Sequence, residues 1–244
     1  MFEYVTKPSP AVTRASRSTS PGRAAEGRLR LLAAAERLIA TRGLGVPNRE
    51  IVAAAGQHNQ SAITYHFASR AGLTDAIRER HEAAIAQHRR HLIARLPGRA
   101  ERTTRQLVDA HVQPLVAEML RRTPSYWARL SELLLGDQPL RFGGDVEHSA
   151  RPHCADIAAT ELFDLTVAHL GHLPEPEAAG RVALTVRFLH SGLARWERDS
   201  EAGSDAVAPL ASFALTLTDL AVAMLDARSS SAFSPGATES ARWR

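Results

Sequence analysis

Apolar residues recur at helical spacing through most of the chain, and no stretch alternates as a strand would. The first stripe, Leu31, Leu32, Ala34, Ala35, Leu38 and Ile39, predicts a helix over about Arg28 to Thr41, closed by Gly43. Ile51, Val52 and Ala55 then mark one face of a short second helix. Gly56 ends it, because glycine reaches a left-handed backbone without strain. Pro47 suits the first turn of that helix, and Asn48 is the alternative N-cap. Gln57, His58 and Asn59 make a polar turn. Gln60 to Phe67 resumes the helical period with Ala62, Ile63 and Phe67 facing inward. Gln60, Ser61, Thr64 and Tyr65 are left on a polar outer face. A helix–turn–helix with a hydrogen-bonding face is the form that docks into a DNA major groove.

Ser69 is a natural N-cap for a fourth helix, carried by Leu73, Ala76 and Ile77 and running to about Leu96, where Pro97-Gly98 stops it. Further helices are expected over about Glu101 to Arg122, with a kink at Pro114, then Ser125 to Leu135, His153 to Leu170, Glu177 to Arg198 and Asp205 to Ala227. The expected fold is all-α with about nine helices. A basic unstructured arm (1–26) precedes a three-helix DNA-binding head (27–75). A helical effector-binding and dimerisation domain (76–227) and an unstructured tail (228–244) follow. The ninth helix is apolar over more than half its circumference and needs partners on two sides. One is its own domain. The other is a second subunit, or else the helix is wholly buried in a monomer. The dimer reading is preferred and places Val182, Val186, Leu189, Leu193, Trp196, Leu210, Leu217 and Met224 at a four-helix interface.

Charge changes the picture by its distribution. The net charge is +4, but residues 1–70 hold ten basic side chains against four acidic ones, beside the helix–turn–helix. Lys7 is the only lysine, and an arginine bias this general is not by itself a phosphate-binding signal. Cys154 stands alone, which excludes an intrachain disulfide and a cysteine-rich zinc site. No apolar run approaches the roughly 20 residues that span a bilayer, and no signal-peptide core opens the chain. A cytoplasmic protein with no membrane partner is expected.

The residues then carry a family resemblance. Leu31-Leu32-Ala33-Ala34-Ala35-Glu36-Arg37-Leu38-Ile39, Gly43, Val46-Pro47-Asn48-Arg49-Glu50-Ile51, Ala55-Gly56, Tyr65-His66-Phe67 and Ser69-Arg70-Ala71-Gly72-Leu73 follow in order. Over about Arg28 to Ile77 this resembles the tetracycline-repressor (TetR) family of bacterial transcriptional regulators. The turn Gln57-His58-Asn59 is one residue longer than the commonest pattern, Tyr65 lies two residues before Phe67, and Asn48 stands where an apolar residue is usual. This looks like a branch with a Gln-x-Asn-x-Ser-Ala turn. The resemblance implies that the third helix enters the major groove and that a homodimer reads a palindromic double-stranded DNA operator. It also implies that a small effector among helices four to eight shifts the fourth helix and releases the DNA.

Residue chemistry assigns roles within that frame. Gln60 and Asn59 suit adenine edges, while Ser61 and Thr64 reach bases or phosphates. Tyr65 and His66 suit phosphates, as do Arg28 and Arg49 near helix N-termini; Arg70 is a weaker candidate. Effector-pocket candidates are His111, Met119, Trp127, Leu130, Phe163 and Phe188, large or polar groups on apolar faces. Aromatics are 5% of the chain, which argues against a multi-aromatic cage, and no dense charged cluster marks the ligand. A small apolar or amphipathic effector is expected. Among the histidines, His81, His88 and His91 do not converge, and neither His148, His153 and Cys154 nor His169 and His172 make a convincing set. No metal, cofactor or catalytic residue is expected. A regulator without an effector, and more remotely a helical enzyme, are the alternatives.

Overall fold

The computed structural model describes residues 21–136, 157–203 and 207–228, and over these it is helical, with no strand among the described residues. The helices are α1 (Pro21–Arg42), α2 (Asn48–Ala54), α3 (Ala62–Phe67), α4 (Arg70–Ile93), α5 (Thr104–Leu120), α6 (Trp127–Gly136), α7 (Ile157–His169), α8 (Glu175–Glu201) and α9 (Leu210–Asp226). The expected arm up to residue 20, most of the 136–152 loop with His148, the expected helix start at His153 with Cys154, and the tail after Arg228 lie outside the described residues.

The head closes around Leu31, Ala35, Ile39, Ile51, Ile63, Leu73 and Ile77, all essentially without solvent contact. One boundary differs from expectation. Helix α1 starts at Pro21, so 21–26 is not part of an unstructured arm. Proline costs nothing at a helix start, Ala24 and Ala25 are strong helix formers, and Glu26 pairs with Arg30 one turn on. Pro47 is the N-cap of α2, with φ −65° and ψ 143°, and so stands outside the helix it introduces.

Helix α4 leaves the head and enters the core on a single stripe. Leu73 and Ile77 face the head, and Ile85, Ala86 and Arg89 face the core helices. Helix α5 begins at Thr104 rather than Glu101, because Thr103 and Gln106 form a capping box. A carboxylate from α8 holds the N-terminus of α6. Glu197 is buried and accepts from the backbone N–H of Arg129 at 3.0 Å and from that residue's Nε at 3.2 Å. Arg198 adds an ion pair to Glu132 at 2.8 Å.

The dimer-face expectation needs correction. Val182, Leu189, Leu193, Leu210 and Leu217 are buried inside the protomer. A Cβ at Gly192 of α8 would meet Leu217 Cδ1 of α9 at 2.6 Å, so this stripe seals α8 to α9 within one chain. Val186, Trp196 and Met224 are half-buried. The large apolar side chains that α8 and α9 leave to solvent are Leu184, Leu215 and Leu220.

Candidate nucleic-acid interface and effector core

Helix α3 divides as its sequence period predicts. Ala62, Ile63 and Phe67 are buried, whereas Gln60, Ser61 and Thr64 are exposed and Tyr65 is 72% exposed. A tyrosine that open, on a helix so short, is not there to fill a core. Asn59 has a local duty that its sequence position hid. Its side-chain oxygen accepts from the Ser61 N–H at 3.0 Å, and its carbonyl accepts from the Ala62 N–H at 3.0 Å. This turn starts α3 at Ala62, two residues later than the period indicated, and it occupies the oxygen that would otherwise read a base. Arg49 is exposed in the first turn of α2. Arg28 is exposed on α1, its guanidinium 4.9 Å from the centroid of the Phe67 ring.

Gln57 and His66 brace α3 against α1. Gln57 Nε2 donates to the Gly27 carbonyl at 3.2 Å, and a Cβ at Gly27 would meet that nitrogen at 2.8 Å. His66 is half-buried, with its ring edge-on to Tyr65 at 4.8 Å between centroids. Burial, and next the Arg28 charge, lower its pKa from the usual histidine value. His66 is therefore better placed as a neutral brace than as a cation on phosphate.

The link from α3 to α4 is tight. Ala68 has φ +64°, and the Phe67 carbonyl accepts from the Ser69 N–H at 2.7 Å, a γ-turn in a left-handed residue. Ser69 Oγ then caps α4 by accepting from the Gly72 N–H at 3.0 Å. A Cβ on Gly72 would collide with the Phe67 carbonyl oxygen. Arg70 clasps this joint from below, donating to Asn48 Oδ1 at 3.4 Å and to the Leu44 carbonyl at 3.3 Å. Arg70 and Asn48 thus serve the fold.

A buried hydrogen-bonding relay joins head to core. His81 of α4 has no solvent exposure, and its two ring nitrogens face two carboxylates. Nε2 is 3.0 Å from Glu36 of α1, and Nδ1 is 2.8 Å from Glu118 of α5. The ring stacks on Trp127 of α6, 4.5 Å between centroids. Arg121 and Arg122 also reach Glu118, at 2.8 and 3.3 Å.

Deeper in the core, histidines from two helices share a buried basic neighbour. His111 of α5 donates from Nε2 to Thr166 at 3.3 Å, since the Thr166 proton goes to the Leu162 carbonyl. His190 of α8 likewise donates to Ser131, whose own proton goes to the Ala128 carbonyl. Burial, and next the Arg89 charge, push His111 down to about 3 and His190 down to about 4. Of the other expected pocket residues, Phe188 is half-buried, while Met119, Trp127, Leu130 and Phe163 are packed core. Arg89 and His190 were missed because nothing local in their sequence marks them as converging on His111. Among the described residues no three His, Cys, Asp or Glu side chains are grouped to hold a metal ion. No described helix is long and apolar enough to cross a membrane.

Comparison with known proteins agrees with the geometry of the head. Residues 31–77 match the family model of bacterial regulatory proteins, tetR family. No curated protein matches the chain. Among solved structures, the chain is similar to a gamma-butyrolactone receptor (ArpA-like protein), with 19% identity and TM-score 0.47 over 82% of this chain and 97% of that one. It is also similar to a TetR-family regulator from Streptomyces coelicolor A3, with 16% identity and TM-score 0.35 over 84% of this chain and 97% of that one. The exposed polar face of α3 and its tight joint to α4 both lie within the residues that match the tetR-family model, so the head, residues 31–77, is similar to the helix–turn–helix of those bacterial regulatory proteins.

Proposed function

We propose that this protein is a cytoplasmic, ligand-responsive repressor that binds a palindromic operator as a homodimer, with α3 in the major groove. The observation that carries the reading is the α3 face itself: Gln60, Ser61, Thr64 and Tyr65 are open to a partner while every apolar residue of that helix is used inside. Gln60 is the direct base reader, Ser61 and Thr64 reach bases or phosphates, and Tyr65, Arg28 and Arg49 position the head on the backbone. Leu184, Leu215 and Leu220 support a dimer face on the outer sides of α8 and α9, with Val186, Trp196 and Met224 at its margin.

The effector reading rests on the core. His111, His190 and Phe188 keep accessible surface although they lie among α4 to α8. A small amphipathic molecule suits that setting, its apolar body among the aliphatic side chains and a hydrogen-bonding end toward the two histidines and Arg89. To release DNA it must bind one spacing of the heads better than the other.

The test is selection of binding sites from random duplexes by the purified full chain, followed by the Thr64→Ala/Tyr65→Ala double variant. A two-fold symmetric site is expected for the parent chain. The variant is expected to lose operator binding while its helix content and oligomeric state are unchanged. Binding retained by the variant would overturn the placement of α3.

A further inference from the structure

A second site lies outside both the α3 face and the effector core. Between head and core opens a cleft of about 540 Å³, lined by Arg30, Arg37, Arg80 and Arg122 over a floor of Ala33, Ala34, Ala54 and Ala55. Its volume falls within the range of about 300–1,000 Å³ usual for small-molecule sites. Three elements supply the arginines: Arg30 and Arg37 come from α1, Arg80 from α4, and Arg122 from the connection between α5 and α6.

The charge in this cleft is poorly balanced. Among the described residues Glu36 is the only acidic side chain lining it, and that carboxylate is already engaged by the buried His81 ring. Arg80 is 3.7 Å from Glu36, too far for a hydrogen bond. Arg30 pairs with Glu26 where both are exposed, an arrangement of little energetic weight. Arg122 shares Glu118 with Arg121 and His81. Arg37 is exposed and forms no ion pair among the described residues. Tyr126 closes one wall. Its hydroxyl donates to Glu201 at 3.3 Å, and burial and then that carboxylate raise its pKa.

We propose that this cleft binds a small organic oxyanion, a phosphate or carboxylate on a compact apolar body. Guanidinium groups recognise such oxygens through paired N–H donors. The four alanines leave a flat apolar floor on which no side chain fills the space. An occupant held by Arg37 and Arg122 would tie α1 to the core and fix the angle between them.

Titration calorimetry of the full chain with phenyl phosphate at constant ionic strength tests this. One saturable site per chain is expected for phenyl phosphate and for benzoate, and none for phenol. The Arg37→Gln/Arg122→Gln variant is expected to weaken binding about tenfold or more, as the loss of charged hydrogen bonds implies. Ala54→Phe, which fills the floor without altering charge, is expected to abolish it. The control pair Arg195→Gln/Arg228→Gln, exposed and remote from the cleft, is expected to change nothing. Absence of saturable heat overturns the proposal. So does equal loss in the control pair, or unimpaired binding by Ala54→Phe. If phenyl phosphate does not bind and the Arg37/Arg122 variant instead weakens binding to random-sequence duplex, these arginines serve the DNA backbone and the small-ligand proposal fails.

Discussion

Glu36 Oε1 lies 3.0 Å from Nε2 of His81, across the joint between the DNA-binding head and the helical core. The other ring nitrogen meets Glu118 of the core at 2.8 Å, so one side chain serves two carboxylates in two parts of the molecule. Both carboxylates are buried, and removing the ring takes away a hydrogen-bonding partner from each.

His81→Leu is therefore expected to destabilise the fold by about 1–3 kcal/mol, the usual cost of leaving a buried polar group without its hydrogen-bonding partner. Urea unfolding monitored by circular dichroism measures this. Glu36→Gln, which keeps an acceptor for the ring, is expected to cost less than His81→Leu. No measurable loss in Glu36→Gln beside a full loss in His81→Leu would show that packing on Trp127, and not the contact with Glu36, is what His81 provides.

The α3–α4 joint gives a second test. Gly72→Ala would drive a methyl group into the Phe67 carbonyl and break the cap from Ser69. A cost of about 1–3 kcal/mol is expected from overpacking of this kind. Because the displaced residue adjoins Tyr65 and His66, operator binding should fall even where the chain remains folded. Ala68→Gly acts in the opposite direction. It relieves a left-handed residue at φ +64° and is expected to leave stability unchanged or slightly raised. Thermal melts of the two variants side by side, with operator affinity, check both.

These joints also show how far sequence patterns reach. The outer face of α3 was legible because Ala62, Ile63 and Phe67 fix which side is inside, and Thr64 and Tyr65 follow by exclusion. Five of the eight residues expected at the dimer face, Val182, Leu189, Leu193, Leu210 and Leu217, are buried within the protomer for a related reason. A stripe such as Val182, Leu189 and Leu193 shows that a face is covered but not what covers it, and here α8 turns that face into its own protomer. The His81 relay was invisible because Glu36 and Glu118 are 45 and 37 residues away in the chain. Asn59 and Asn48 illustrate the remaining difficulty: short polar side chains can read a base or shape a turn with the same atoms.

Acid should weaken the core in a defined window. Burial holds the folded-state values of His111 and His190 at about 3 and about 4, below the ordinary value of 6.5. As pH falls below that ordinary value, the unfolded chain takes up these protons and the folded chain does not. Their contribution is complete above about pH 6.5 and is lost progressively toward pH 4 and then 3, by about 1.4 kcal/mol per histidine per pH unit. Between pH 7 and pH 5 the parent chain should lose on the order of 4 kcal/mol more than a His111→Gln/His190→Gln variant. Urea titrations at the two pH values give the comparison, and parallel losses would contradict it.

Base reading and backbone positioning should separate within one set of DNA measurements. Gln60 is exposed beside the first turn of α3 and carries both a donor and an acceptor, the pair an adenine edge presents in complement. Gln60→Ala is expected to cost about 1–3 kcal/mol on the preferred operator and little on random duplex, relaxing selectivity at one position of each half-site. Arg49 is exposed at the start of α2 and has charge to offer but no base-like pattern. Arg49→Ala is expected to weaken operator and random duplex alike and to reduce the slope of log affinity against log salt by about 1. Fluorescence anisotropy on both duplexes across a salt series measures these quantities together. If Gln60→Ala reduces the salt slope and Arg49→Ala alters selectivity, the two roles are exchanged. The head would then sit on the duplex with the N-terminus of α2, and not that of α3, toward the base edges.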